Sequence, residues 1–433
     1  MAAWRSQAGV VDRRGRLGGV AMIHLHSLNA SRRAAMGFAA ALAFAVALPA
    51  AAQETFKIGL IDDLSGPNSV ASGPGTIEAA KMAVEDYGGK VLGKPIEVLV
   101  ATDENKPDIA VAIAKKWFEE DGVKMITGLP ISNSGLAVQN LATPADRVVI
   151  VAVAGASVLT GAQCSTHAVH WQTDTYAAGS ALVDGIIGAG GKKWFFITVD
   201  YNFGKDIQTD ATKFITARGG EVVGSVLHPG GNLDFSSHMI AAQQSGADVV
   251  AVANGGQDME NAIKGAYEFG LLGSGKQQLA LFFLQTSQIE GVGQDLTAGL
   301  TTATWFYPTM NAETEAWTER FVKRVPNGRV PTALNFGAYS ATMHYLKAVD
   351  AAGTDDALTV IAKMREMPVD DIASKGGVIR EDGRLVRDMV LVKVKQPSES
   401  KSKYDWFEVV TKIPGDRAFR PMAEGGCPHV TKS

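Results

Sequence analysis

The sequence predicts an α/β protein built of two doubly wound parallel-sheet lobes joined by a hinge. Three observations carry that prediction. Short apolar runs alternate with helical patterns from Phe56 onward. The alternation is run through twice, in halves of similar layout. Each half carries a Gly-Gly pair where a helix must stop, Gly88-Gly89 and Gly219-Gly220. Repeated β-α-β units imply parallel sheets covered by helices on both faces.

In the first half, Phe56–Ile61 reads as a buried strand and Gly75–Tyr87 as a helix whose apolar face includes Ile77, Ala80, Met82, Ala83 and Val84. Ile96–Ala101 is the next strand, and Asp108 is placed to cap the helix running to Glu120. Met125–Thr127 is a strand, Asn133–Ala142 a helix and Val148–Val153 a strand. The cycle recurs with Trp194–Val199 as strand, Gly204–Arg218 as helix, Glu221–Leu227 as strand, Phe235–Ser245 as helix, Asp248–Val252 as strand, Asp258–Phe269 as helix and Leu279–Leu284 as strand. The remainder departs from this rhythm. Thr301–Tyr307 is strand-like, Glu313–Val325, Ala333–Ala352 and Asp356–Glu366 are helical, and Val378–Arg380, Leu385–Val394 and Trp406–Val410 are strands, the first two joined by the turn Glu381–Gly383. Lys395–Lys403 is a polar loop. The last part is expected to cross back and complete both lobes, giving 55–172 plus 307–376 as the first and 173–306 plus 377–430 as the second.

Before Phe56 lies a different signal. Arg32 and Arg33 precede the uncharged run Met36–Leu48, which ends in Pro49 and the small residues Ala50, Ala51 and Ala52. A charged start, a short apolar stretch and an A-x-A site make a secretory signal peptide, too short to span a bilayer. Residues 1–52 are therefore read as a leader, with 1–21 as an upstream extension before Met22, and the protein is expected in the periplasm. The 433 residues carry 41 basic and 45 acidic side chains. Six Arg and one Asp fall within 1–52, leaving 35 basic and 44 acidic side chains, net −9. That balance offers no electrostatic footing for nucleic acid. Cys164 and Cys427 are the only cysteines. In an exported chain they are read as one disulfide that ties down a polar tail, the alternative being two separate thiols.

Motifs of chemistry fail in detail. Gly270–Lys276 approaches a phosphate loop, but Gln277 replaces the magnesium-binding hydroxyl and the segment follows a helix. His167 and His170 lack the further ligands a metal needs, and one of them is expected to be oriented by a backbone hydrogen bond. Neither a nucleophile elbow nor an H-E-x-x-H helix occurs. No catalytic residue, metal or cofactor is expected.

Several local stretches, in order, resemble the type I periplasmic solute-binding proteins of the branched-chain amino-acid (leucine/isoleucine/valine-binding) family, the receptors of ABC importers. They are Leu64–Pro67, the helix Glu78–Glu85, Asp103, Val123–Gly128 followed by Ile131–Ser134, Asp200–Gly204 and Asp234–Ser236. The resemblance spans Phe56–Val410. It implies one small solute held between the lobes, with an inner-membrane permease and ATPase as partners of a monomeric receptor. It places Ser132, Asn133, Ser134, Ala154, Gly155, Ala156 and Ser157 of the first lobe around the solute and makes Phe203 an aromatic lid. Trp171 and Tyr176 are candidates for stacking on a flat solute, or for hinge packing. Two positions depart from the amino-acid binders. Gln285 follows the late second-lobe strand where those proteins place an acidic partner for the ammonium, and Gln257 stands where an aromatic is common. A buried ammonium without a carboxylate is costly, so a carboxylate with an apolar or aromatic body, or an amide, fits at least as well as an amino acid. Two other readings share the fold or its class. A soluble sensor module would bind a solute to report it, and a secreted α/β enzyme would need a nucleophile or metal site that the sequence does not display.

Overall fold

The computed structural model describes residues 54–272 and 277–431. The leader 1–52, and Gly273–Lys276 of the glycine-rich loop, lie outside the described residues. The first half forms β1 (Phe56–Asp62), α1 (Gly73–Tyr87), β2 (Lys90–Val91), β3 (Lys94–Thr102), α2 (Pro107–Glu119), β4 (Met125–Gly128), α3 (Ser132–Ala145), β5 (Val148–Val151) and β6 (Ala168–His170). Their sheet runs β2-β3-β1-β4-β5-β6. β1 lies between β3 and β4 and is parallel to both, with Ile58 opposite Val98 and Met125. Its central strands β1, β4 and β5 are buried on both faces because they carry nearly continuous apolar runs. α1 stops where expected, with Gly88 left-handed at φ 112° and Gly89 returning its N–H to Val84.

The second half repeats the plan: α4 (Thr175–Gly188), β7 (Lys193–Val199), α5 (Asn202–Ala217), β8 (Glu221–His228), α6 (Ser236–Gln244), β9 (Val249–Ala253), α7 (Gly256–Glu268) and β10 (Gln278–Leu281). The sheet order is β10-β9-β7-β8, with β7 paired in parallel to both β8 and β9. In each lobe the first long strand thus sits where the winding reverses. The crevice beyond the carboxyl ends of the strands at such a point is where open α/β sheets take ligands.

Beyond α8 (Thr286–Val292), α9 (Gln294–Thr297) and β11 (Thr301–Thr304), helices α10 (Ala312–Val322), α11 (Ala333–Ala352) and α12 (Ala357–Glu366) return to the first lobe. Tyr345, Val349 and Ile361 join Phe56, Ile58 and Ile150 in its core. The hairpin β12 (Val378–Ile379) and β13 (Leu385–Val386) packs Ile379 and Leu385 into that same core, within the segment read from sequence as second-lobe. β14 (Met389–Val394) and β15 (Phe407–Ile413) pair antiparallel with each other, β11 joins β14, and Val390, Val392 and Phe407 enter the second-lobe core.

Three details correct the sequence reading. Asp108 is not the cap of α2: Lys106 is the N-cap, Pro107 opens the helix and Asp108 sits in its first turn. There it still opposes the helix dipole. The strand expected over Leu385–Val394 is broken between β13 and β14 because the chain changes lobe there. Helix α4 has no counterpart in the sequence reading. It is buried along most of its length, so it lacks the amphipathic period that reveals a helix.

Where the chain passes between lobes, two arginines are buried. Arg384 is 1% exposed. It donates to His170 Nδ1 at 2.8 Å, to the carbonyl of Leu385 at 2.9 Å and to the carbonyl of Gln172, and it faces Asp174 at 3.4 Å. Arg387 lies 3.8 Å from the Trp305 ring and 5.4 Å from that of Trp171. Burial pushes Arg384 down to about 10 and Arg387 down to about 9, so both stay charged at neutral pH. Cys164 and Cys427 form a disulfide, with Cα atoms 5.6 Å apart.

Two expectations follow. Arg384→Ala leaves the carboxylate of Asp174 buried without its cation and should lower the unfolding free energy by about 3–5 kcal/mol in urea titration; a loss within experimental error would remove the arginine from this structural role. Replacing both cysteines by serine should cost at most about 5 kcal/mol for so long a closed loop, and thiol titration of the denatured wild type should detect free thiols only after reduction.

Candidate functional site

The carboxyl ends of the two sheets bound a crevice of about 510 Å³, part of it open to solvent. From the β1–α1 loop come Asn68, Ala71 and Ser72, and from the β4–α3 junction Pro130, Ile131 and Ser132. The opposite wall is Tyr201 and Phe203 at the start of α5, Gly255 and Gly256 at the start of α7, and Phe283 and Gln285 after β10. Helices α3, α5 and α7 have Ile131, Tyr201 and Gly255 as N-caps, and none of these accepts a side-chain capping bond. Their first-turn N–H groups have no partner within the helix, so three positive dipole ends converge on one gap.

The loop that carries Asn68 is shaped by one carboxylate. Asp63 accepts from the N–H groups of Ser65, Gly66 and Asn68 and from Nδ2 of Asn105 at 2.7 Å. Ser132 accepts the Ala156 N–H at 3.2 Å, which leaves its own O–H free to donate. The hydroxyl of Ser72 is spent on Asp62 at 2.7 Å. Asp62 is fully buried behind it, and burial pushes its carboxyl up to about 7 despite the bonds from Ser72 and the N–H groups of Asp63 and Gly73. Gln285 accepts the Ala333 N–H through Oε1 at 3.2 Å. Phe203 and Phe283 pack with ring centroids 4.8 Å apart. Gly155 makes room for them, since a Cβ there would stand 3.1 Å from Phe203 and 3.3 Å from Phe283.

Charge is scarce in this lining. Among the described residues that form the crevice wall there is no Asp, Glu, Lys, Arg or His. His170 stands one step back. Its Nε2 lies 2.8 Å from the Ala154 carbonyl and its Nδ1 faces Arg384. The carbonyl requires Nε2 to carry the proton and the arginine requires Nδ1 to be the acceptor. Burial first, then Arg384, holds its pKa well below the usual histidine range, so this ring is a neutral strut between hinge and crevice wall.

The structure gathers Ser132, Ala154, Gly155, Phe203 and Gln285 at the crevice. Ala156 supplies the N–H to Ser132. The other sequence candidates are engaged elsewhere. Ser134 donates to Asp103 at 2.6 Å and Ser157 to Asp210 at 2.7 Å. Asn133 reaches across the lobes, its Oδ1 accepting the Asn202 N–H at 3.3 Å. The side chain of Gln257 bonds Glu260 and Asn261. Trp171 is wholly buried in the hinge, 5.5 Å from His344, and Tyr176 sits edge-on to Phe214 at 4.9 Å. Sequence reasoning missed Asn68, Ser72, Tyr201, Phe283 and Leu334. Of these, Tyr201 alone lies in a stretch that carries the family resemblance, beside Phe203.

The lobes touch directly at the rim. The Gln257 N–H donates to the Pro67 carbonyl at 2.8 Å. That approach requires Gly256, whose φ is 57° and where a Cβ would stand 2.6 Å from the same oxygen.

A two-lobed α/β scaffold with a crevice at both switch points and helix N-termini aimed into it defines a solute receptor. The chain belongs to the periplasmic binding protein family, whose model matches residues 55–402. It is 39% identical to a periplasmic binding protein of Burkholderia mallei, with 87% of this chain and 99% of that one covered and a TM-score of 0.84. It is 27% identical to a Leu/Ile/Val-binding protein homologue of Brucella abortus over 72% of this chain and 80% of the relative. A solute-binding protein of an ABC transporter from Rhodopseudomonas palustris, in complex with 3,4-dihydroxybenzoic acid, is 25% identical, covers 83% of this chain and 98% of its own, and has a TM-score of 0.74. No described helix is long and apolar enough to cross a membrane.

Gly256→Val should prop the rim open. Small-angle X-ray scattering of the variant should give a larger radius of gyration than the wild type in the same buffer, and identical profiles would show that the rim contact does not set the lobe spacing.

Proposed function

We propose that this protein is the exported, periplasmic solute-binding component of an ABC importer and that its solute is a carboxylate with an aromatic or apolar body. The lining of the crevice carries this reading. Three helix N-termini, α3, α5 and α7, and the Ser132 hydroxyl can hold a carboxylate, whereas no anionic side chain in the wall can pair with an ammonium. Phe203, Phe283, Ile131, Val153 and Leu334 supply a surface for a ring or alkyl body. The ligand of the Rhodopseudomonas relative is of this chemical kind.

In this reading the work is capture and delivery without covalent chemistry. The lobes, dividing near residues 172, 306 and 387, close on the solute by hinge motion about the crossings that Arg384 and Arg387 hold, and a permease with its ATPase receives the closed form. Residues 1–52 direct export and are cleaved. Ser132, Gly155, Phe203 and Gln285 are the contacts retained from the sequence reading, and Asn133 serves as a cross-lobe latch.

Calorimetry decides between solute classes. Benzoate should bind at least about tenfold more tightly than leucine, on the order of 1.4 kcal/mol. Tight leucine binding with none for benzoate would overturn the proposal. Ser132→Ala should weaken benzoate binding by about 1 kcal/mol, the worth of one hydrogen bond.

A further inference from the structure

A second cavity adjoins the crevice on the side of β3 and β8. It encloses about 920 Å³, part of it open to solvent, and shares Asn68, Ile131 and Tyr201 with the inner crevice. Its chemistry is different. Glu104 and Asp258 line it, and no Lys, Arg or His does. Glu104 is solvated and paired with Lys106 at 3.0 Å, so its field is partly cancelled. Asp258 is the built element. It sits in the first turn of α7 and is only 5% exposed. Its Oδ2 accepts the Gly231 N–H at 3.0 Å and the neighbouring Asn232 N–H also favours the anion, while Oδ1 is buried and has no donor at normal hydrogen-bond geometry. Burial pushes this carboxyl up to about 6, which leaves it ionised at neutral pH. A buried acceptor without a donor is unfavourable until a donor arrives. Tyr201 stands between the cavities, stacked on Phe203 at 6.3 Å.

We propose that the solute spans both cavities, with its carboxylate and ring in the inner crevice and a hydrogen-bond-donating group, a hydroxyl, amide or ammonium, against Asp258 in the outer one. This deepens the aromatic-carboxylate reading and rests on it. The outer cavity adds a selection that the inner one lacks. A donor group satisfies the free oxygen of Asp258, whereas a second carboxylate meets like charge. The preferred solute is thus a monocarboxylate with a neutral or cationic polar end, and aromatic dicarboxylates are rejected.

The test is calorimetry on ligand-free mature protein with benzoate, terephthalate and a series of 4-(aminoalkyl)benzoates of increasing linker length. The best aminoalkyl compound should bind at least about tenfold more tightly than benzoate, and terephthalate at least about tenfold more weakly, as a charge-assisted hydrogen bond and its like-charge counterpart require. In Asp258→Asn, which keeps an oxygen for the Gly231 N–H, the aminoalkyl preference should shrink to within about twofold, because the ionised partner is gone. Benzoate binding with a flat series in the wild type, or a preference that survives in Asp258→Asn, overturns the outer cavity alone. Absence of benzoate binding overturns the aromatic-carboxylate reading and this inference with it. The wild-type series decides the matter even if the variant does not fold.

Discussion

The crevice of this molecule is arranged around helix-start N–H groups that their own helices cannot bond. A parallel strand must be followed by a helix on one face of its sheet, so the start of that helix always arrives at the carboxyl edge. Two such sheets set edge to edge bring the starts of α3, α5 and α7 to one gap, where Asn202 and Gln257 spend their N–H groups on the opposite lobe and the other first-turn donors have no partner within their helices. The wall can then be built almost without charged side chains. Ser132, Asn68 and Gln285 add individual polar groups, and the aromatic pair Phe203 and Phe283 fills the rest. The site is fixed less by what its side chains are than by where the winding order places the ends of strands.

The hinge is what keeps that arrangement aligned. Arg384 and Arg387 sit where chain crossings converge, and each bonds backbone carbonyls of the β6–α4 connection as well as facing a carboxylate. A buried ion pair is a poor source of stability compared with a well-packed apolar pair. Its directional bonds do something an apolar pair cannot, which is to set one register between chain segments more than two hundred residues apart. Through the neutral ring of His170 the same arginine reaches the carbonyl of Ala154 in the crevice wall. Crossing point and solute-facing wall are therefore parts of one hydrogen-bonded line.

The fold was legible because its signals are local. Continuous apolar runs mark β1, β4 and β9, the Gly-Gly stops end α1 and α5, and periodicity defines α11 to the residue, Ala333–Ala352. What escaped was apolar on all sides, as in α4, or only a few residues long, as in β6. The crevice was legible where it follows a strand-to-helix junction, hence Ser132, Gly155 and Phe203. It was illegible where a wall residue looks like core, as Phe283 does within its strand-like run, or arrives from a distant helix, as Leu334 does. Trp171 shows the converse. An indole beside a hinge and an indole beside a solute leave the same trace in a sequence, and only the packing against His344 and Arg387 separates them.

The disulfide gives the chain a topology that its fold alone would not have. Cys164 and Cys427 are 263 positions apart, so the covalent ring between them contains the whole of the second wound sheet, the returning helices and all three passages between lobes. Tension applied at the two ends of the chain would run through that bond and bypass the ring. A pulling experiment would thus extend only the segment before Cys164 and the few residues after Cys427, and the full contour of the chain would appear only under reducing conditions.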